Sequence, residues 1–131
     1  MLFDLYKRWR HTRGFGVHSP FAYRLVTEGV RPARGYVYHA ELLPGMTPLR
    51  RIAFRLRTIL RSDGYQDMVY DAAEWEADPA QPLFLVAPTP QQTERIEHTL
   101  SNRGCGLMLH SRRYIFAIAR KEMALVRYNL L

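Results

Sequence analysis

Residues 82–119 read PLFLVAPTPQQTERIEHTLSNRGCGLMLHSRRYIFAIA. Pro82 and Pro88 bracket a short, continuous apolar run, Leu83 to Ala87. A run of that length without polar alternation suits a strand buried on both faces, as in a parallel sheet. Thr89-Pro90-Gln91-Gln92 then opens a helix with a capping-box pattern. The threonine hydroxyl accepts from an orphan amide, and the glutamine three residues later reaches back to the cap. Only Thr93, Ile96 and Leu100 form an inner stripe, so this helix is expected on the surface, ended by Gly104. A strand over 106–110 follows, then the turn Ser111-Arg112-Arg113. Tyr114 to Ala119 is apolar throughout and predicts a central strand. Strand, helix and strand over 83–110 imply a right-handed parallel crossover. The short turn after it implies an antiparallel hairpin. The fold class is therefore α/β: a small, partial Rossmann-like three-layer domain whose mixed sheet closes with a C-terminal antiparallel hairpin.

Outward from this stretch, Ala124 to Leu130 is a further strand or a packed tail. Asp67-Met-Val-Tyr-Asp71 predicts a short strand, and the acidic, proline-containing segment 74–82 an exposed loop. Thr47-Pro48 is a cap followed by proline at the first helical position, where no amide donor is needed. Leu49, Ile52, Ala53, Leu56, Ile59 and Leu60 follow at helical spacing, and Gly64 closes the helix. Residues 32–48 hold three prolines and two glycines and read mostly as loop, with Tyr36 to Tyr38 a short strand. Ser19-Pro20 starts another helix, whose buried face is Ala22, Leu25, Val26 and Val30. Leu2, Leu5, Tyr6 and Trp9 make one apolar face of a first helix, ended by Gly14 and Gly16. The whole reads as a single domain over 1–131, with a helical arm (1–34) and an α/β core (47–131).

Hydrophobic content of 47% and aromatic content of 12% argue for a folded domain and against disorder. The single cysteine, Cys105, excludes an internal disulfide and a cysteine-based zinc site, and fits a reducing cytoplasm. No signal-peptide or membrane-spanning run is present, so a cytoplasmic protein without membrane partners is expected. The net charge of +7 is unevenly spread. Residues 1–61 hold twelve bases against three acids, 62–82 six acids and no base, and 83–131 seven bases against three acids. A basic N-terminal half suits nucleic acid or an acidic partner, although Arg outnumbering Lys 17 to 2 is a skew that genome composition also produces.

Gly14-Phe-Gly-Val-His-Ser-Pro-Phe21, running on to Val26, resembles the N-terminal helical segment of bacterial class I S-adenosylmethionine-dependent methyltransferases. Residues 48–56 resemble the helix that leads into their first core strand. Residues 106–110, 114–122 and 126–128 resemble their closing strands and tail. The resemblance covers about half the chain, in separate pieces. It implies the doubly wound sheet and the S-adenosylmethionine cofactor of that family. The family sets a glycine-rich turn after its first strand, where backbone must approach the cofactor. Here Asp67 to Asp71 is followed by Ala72-Ala73-Glu74-Trp75-Glu76, with no glycine. The expectation is thus a truncated, non-catalytic relative that acts by macromolecular binding or self-association, with a protein partner or a homo-oligomer implied. The alternatives are an active methyltransferase with an abbreviated cofactor site, and a basic nucleic-acid-binding module.

If S-adenosylmethionine binds, Asp71 and Glu74 are the candidate contacts. Arg50, Arg51, Arg55, Arg57 and Arg61 form the candidate anion or nucleic-acid face, with Phe54 and Tyr65 nearby. Arginine meets phosphate as a bidentate fork; the competing reading is a solvated helix face. His18 and Ser19 read as a helix cap beside a hydrogen-bonded histidine rather than a catalytic pair. His11, His18, His39, His98 and His110 lack metal-binding spacing, so no metal site is expected. Asp67, Asp71, Glu74, Glu76 and Asp78 read as a solvated acidic loop, and Cys105 as a small core residue.

Overall fold

A computed structural model describes residues 2–12, 19–31 and 47–131. The Tyr36–Tyr38 strand, the glycines closing the first helix, and His18 lie outside the described residues. The chain groups into two compact units, residues 1–66 and 67–131.

The first unit is helical. Helix α1 spans Leu2–Thr12, α2 spans Pro20–Arg24, and α3 spans Pro48–Ser62. Ser19 starts α2 as its sequence suggests: its Oγ accepts from the Ala22 amide at 3.3 Å, and Pro20 follows. The chain then continues as a π-helical segment, Leu25–Val30. Ala22, Leu25, Val26 and Val30 are all buried, as predicted. Thr47 caps α3 through the Arg50 amide at 3.3 Å. Ile52, Leu56, Ile59 and Leu60 are its buried stripe, and Asp63 with Gly64 (φ +96°) ends it. Gly29 is what brings the π-helical segment close to α3. A Cβ there would stand 2.7 Å from Leu56 Cδ2. The apolar face of α1 stays largely in solvent: Leu5, Tyr6 and Trp9 are 44, 53 and 44% exposed.

The second unit carries the sheet. Its strands are β1 (Leu83–Val86), β2 (Leu107–His110), β3 (Tyr114–Ile118) and β4 (Val126–Asn129). Helix α4 spans Ala72–Ala77 and α5 spans Pro90–Arg103. The four strands lie in the order β1-β3-β2-β4. β3 pairs antiparallel with both β1 and β2, and β4 runs parallel to β2. This is a small α/β domain with a mixed sheet; the antiparallel β2–β3 hairpin lies inside it, and β4 follows as a parallel edge strand.

Several expectations change in detail. β1 and β2 run in the same direction, as a parallel crossover requires, but they are not neighbours. β3 stands between them, so the ladder of β1 is antiparallel rather than parallel. β3 is buried along its whole length, as its apolar sequence predicts, and it pairs on both edges, as β2 does. The strand expected over 67–71 reduces to one parallel bridge between Val69 and Leu83. Segment 74–82 is not simply an exposed loop. Its first part belongs to α4, capped by Asp71, whose carboxylate accepts from Ala73 N at 3.3 Å. Trp75 is fully buried from that helix, and its indole N–H donates to Gln81 O at 2.8 Å. Composition hid a one-sided apolar pair, Ala72 and Trp75, behind acids that favour a helix N-terminus.

α5 follows its sequence closely. Both halves of the capping box form, and Gly104 ends the helix in the left-handed region at φ +67°. Ile96 and Leu100 are buried, while Thr93 is half-buried at the margin of the expected stripe. Trp75, Ile96 and Leu100 pack on one sheet face with Leu83, Leu85, Met108, Ile115 and Ala117. The alternate positions Phe84, Leu107, Leu109, Phe116 and Ile118 are buried as well. The segment 124–130 proves to be both strand and packed tail. β4 is followed by buried Leu130, whose amide donates to His110 O at 2.7 Å. Cys105, expected in the core, is half-buried and packs against its edge. Among the described residues, no helix is long and apolar enough to cross a membrane.

Candidate functional site

α3 turns its arginines into two groups. With 3.6 residues per turn, Arg50, Phe54, Arg57 and Arg61 fall in one line on the side opposite Ile52, Leu56 and Ile59. Arg50 and Arg61 are exposed, Arg57 is half-buried, and Phe54 is 39% exposed between them. The helical rise sets Arg50 and Arg57 about 10 Å apart along the axis, and Arg57 and Arg61 about 6 Å apart. Arg61 Nε also donates to Gln66 O at 3.4 Å, a contact that leaves the rest of the guanidinium available. Arg51 and Arg55 lie on the flank of the helix and are half-buried. Arg51 Nε is buried without a hydrogen-bond partner among the described residues. Of the five arginines named from sequence, three therefore form an outward line and two border the core. Tyr65 is half-buried and adds nothing to that line.

The other arginines of the helical unit contrast with these. Arg8 pairs with Asp4 at 3.0 Å, and Arg24 with Glu28 at 3.0 Å and Asp63 at 3.4 Å. α3 contains no carboxylate, and residues 42–62 hold none. Its outward arginines thus have no i,i+4 acid to neutralise them.

Asp71 and Glu74 do not converge on a site. The Asp71 carboxylate serves as the cap of α4, and Glu74 is exposed in the first turn of that helix. The acidic cluster is dispersed in the same way: Glu76 pairs with Arg95 of α5 at 2.6 Å, and Asp67 Oδ1 accepts from the Met68 amide at 2.7 Å. After the Val69 bridge come Asp71, a capping carboxylate, and Ala72 and Trp75, which are turned into the core.

Sequence reasoning missed two further arrangements. A cavity of about 550 Å³ is lined by Glu76, Glu94, Arg95, His98 and Thr99. Its main charges pair with one another, and His98 Nε2 lies 3.3 Å from Asn102 Nδ2. On the other side of α5, Arg127 pairs with Glu97 and sets Nη2 2.7 Å from His110 Nδ1. This network ties α5, β2 and β4 together beside a cavity of about 220 Å³ lined by Leu100, Met108 and Leu125. Only the β2–β4 register brings His110 and Arg127 together, and spacing alone carries no trace of it. Among the described residues, no group of His, Cys, Asp and Glu is arranged to hold a metal ion.

Searches against protein-family models, curated proteins and solved structures return no match for the chain.

Proposed function

We propose that this chain is a non-catalytic relative of the class I S-adenosylmethionine-dependent methyltransferases, and that it works by binding another macromolecule. One observation carries the reading. After the Val69 bridge, where that family needs bare backbone, this chain places a capping carboxylate and a buried tryptophan, Asp71 and Trp75. The kinship is supported by the GFGVHSPF block at 14–21 and by β3, the closing strand, which returns antiparallel between two strands that run in one direction. Macromolecular binding is supported by the outward line of arginines on α3, a well-packed helix that carries no carboxylate of its own. The lone cysteine, Cys105, is free and suits the reducing cytoplasm, where we place the protein.

Calorimetric titration with S-adenosylmethionine tests the proposal. No saturable heat is expected. Saturable binding in the micromolar range, about −8 kcal/mol, overturns it in favour of an active methyltransferase with an abbreviated cofactor site.

A further inference from the structure

We infer that the outward line of α3 binds single-stranded nucleic acid: Arg50, Arg57 and Arg61 hold successive phosphates, and Phe54 stacks on a base between them. The inference rests on the reading of the chain as a binding module and names the partner of that module.

The argument starts from residue type. A helix surface that only needs to be soluble interleaves both signs, as Asp4 with Arg8 and Arg24 with Glu28 do in the same unit. α3 does not. Arg50, Arg57 and Arg61 stand in a stretch, 42–62, without a carboxylate, so like charge accumulates along that side of the helix. Each is arginine, the side chain whose planar fork matches phosphate oxygens two at a time.

Phe54 selects among anionic partners. It is 39% exposed in the middle of the arginine line. A duplex presents phosphates to such a line but keeps its base faces stacked away from it. A single strand offers both backbone charge and free base faces, which aromatic side chains hold regardless of sequence. An anionic membrane surface fits less well. An interfacial helix lays a broad apolar face into the lipid, whereas the apolar face of α3 is spent in its own core through Ile52, Leu56, Ile59 and Leu60. The helix is also a firm platform, capped by Thr47 and packed against Gly29.

Fluorescence anisotropy on the full chain tests this with a short mixed-sequence single-stranded oligonucleotide, the matching duplex, and phosphatidylserine vesicles. The single strand should bind most tightly and weaken as salt rises. The triple variant Arg50→Ala, Arg57→Ala, Arg61→Ala should lower the slope of log affinity against log salt by about 2, since each single-strand phosphate contributes about 0.7. Phe54→Ala should weaken binding about tenfold, and Phe54→Trp should retain it. Arg112→Ala with Arg113→Ala, exposed at the hairpin turn, should leave affinity within about twofold if the site is specific to α3. Binding lost equally with the Arg112 and Arg113 pair overturns the inference, because net charge alone then explains it. So does duplex or vesicle binding that matches the single strand and ignores Phe54. The two readings fail separately. Oligonucleotide binding alongside micromolar S-adenosylmethionine binding overturns the non-catalytic reading and leaves the α3 site standing. Absence of both overturns the α3 site alone.

Discussion

The two units of this chain divide charge and architecture between them. Residues 1–66 are helical where described and carry twelve bases against four acids, a net +8. Residues 67–131 carry the sheet and seven bases against eight acids, a net −1. The difference extends to how charge is used. In the second unit ion pairs join different elements, Glu76 of α4 with Arg95 of α5 and Glu97 of α5 with Arg127 of β4. In the first, the arginine line of α3 faces outward without a carboxylate on its helix. Exposed aromatic side chains follow the charge: Tyr6, Trp9, Tyr23 and Phe54 all belong to the first unit, whereas Tyr70 is the aromatic exposed in the second among the described residues. A core whose elements are tied by ion pairs suits a scaffold, and a basic surface with exposed aromatic side chains suits contact with an anion.

Substitutions at buried, partnered positions should separate these roles most sharply. Trp75→Ala empties a fully buried site and leaves the Gln81 carbonyl without its donor. A loss of about 4 kcal/mol is expected in chemical denaturation. A loss under about 1 kcal/mol would mean that residues 67–131 are not held by the single core described. Gly106→Ala comes next. Gly106 sits at φ +115°, and a Cβ there would meet Ile118 O at 2.1 Å and Ala119 Cα at 2.8 Å, both backbone. About 3 kcal/mol should be lost, read as a lowered denaturation midpoint. Gly29→Ala presses on Leu56 Cδ2, the tip of a side chain that can turn aside. It should cost about 1 kcal/mol by thermal melting, and a neutral result would show that the π-helical segment and α3 are less closely seated. Smallest of all, Arg50→Ala with Arg61→Ala should change stability by less than about 0.5 kcal/mol, because both side chains are exposed. A larger loss would move those arginines from the binding surface to the scaffold and blur the contrast.

Much of the scaffold was legible in the sequence because its signals are local. Thr89 and Gln92 close a box within four residues, Gly104 needs only its own φ, and the Ser111–Arg113 turn fixes a hairpin. What was not legible depends on who stands next to whom. The apolar run Tyr114 to Ile118 predicts a central strand, but not that it separates β1 from β2, because that depends on which strands pair along its two edges. Trp75 was obscured by acids around it, whose effect on composition outweighed a two-residue apolar face. The arginines of α3 were legible as a group from spacing. Their division into an outward line (Arg50, Arg57, Arg61) and flanking Arg51 and Arg55 was not, because it depends on how far the buried stripe extends around the helix. The pairing of Arg127 with Glu97 and His110 joins three elements and has no sequence signature.

The most direct test is a two-dimensional amide NMR titration of the full chain, first with S-adenosylmethionine and then with a single-stranded oligonucleotide. The account predicts that S-adenosylmethionine moves no resonance, and that the oligonucleotide moves those of Arg50 to Arg61 while residues 67–131 stay in place. Saturable shifts at Tyr70 to Trp75 with S-adenosylmethionine, or oligonucleotide shifts confined to the sheet, would contradict it.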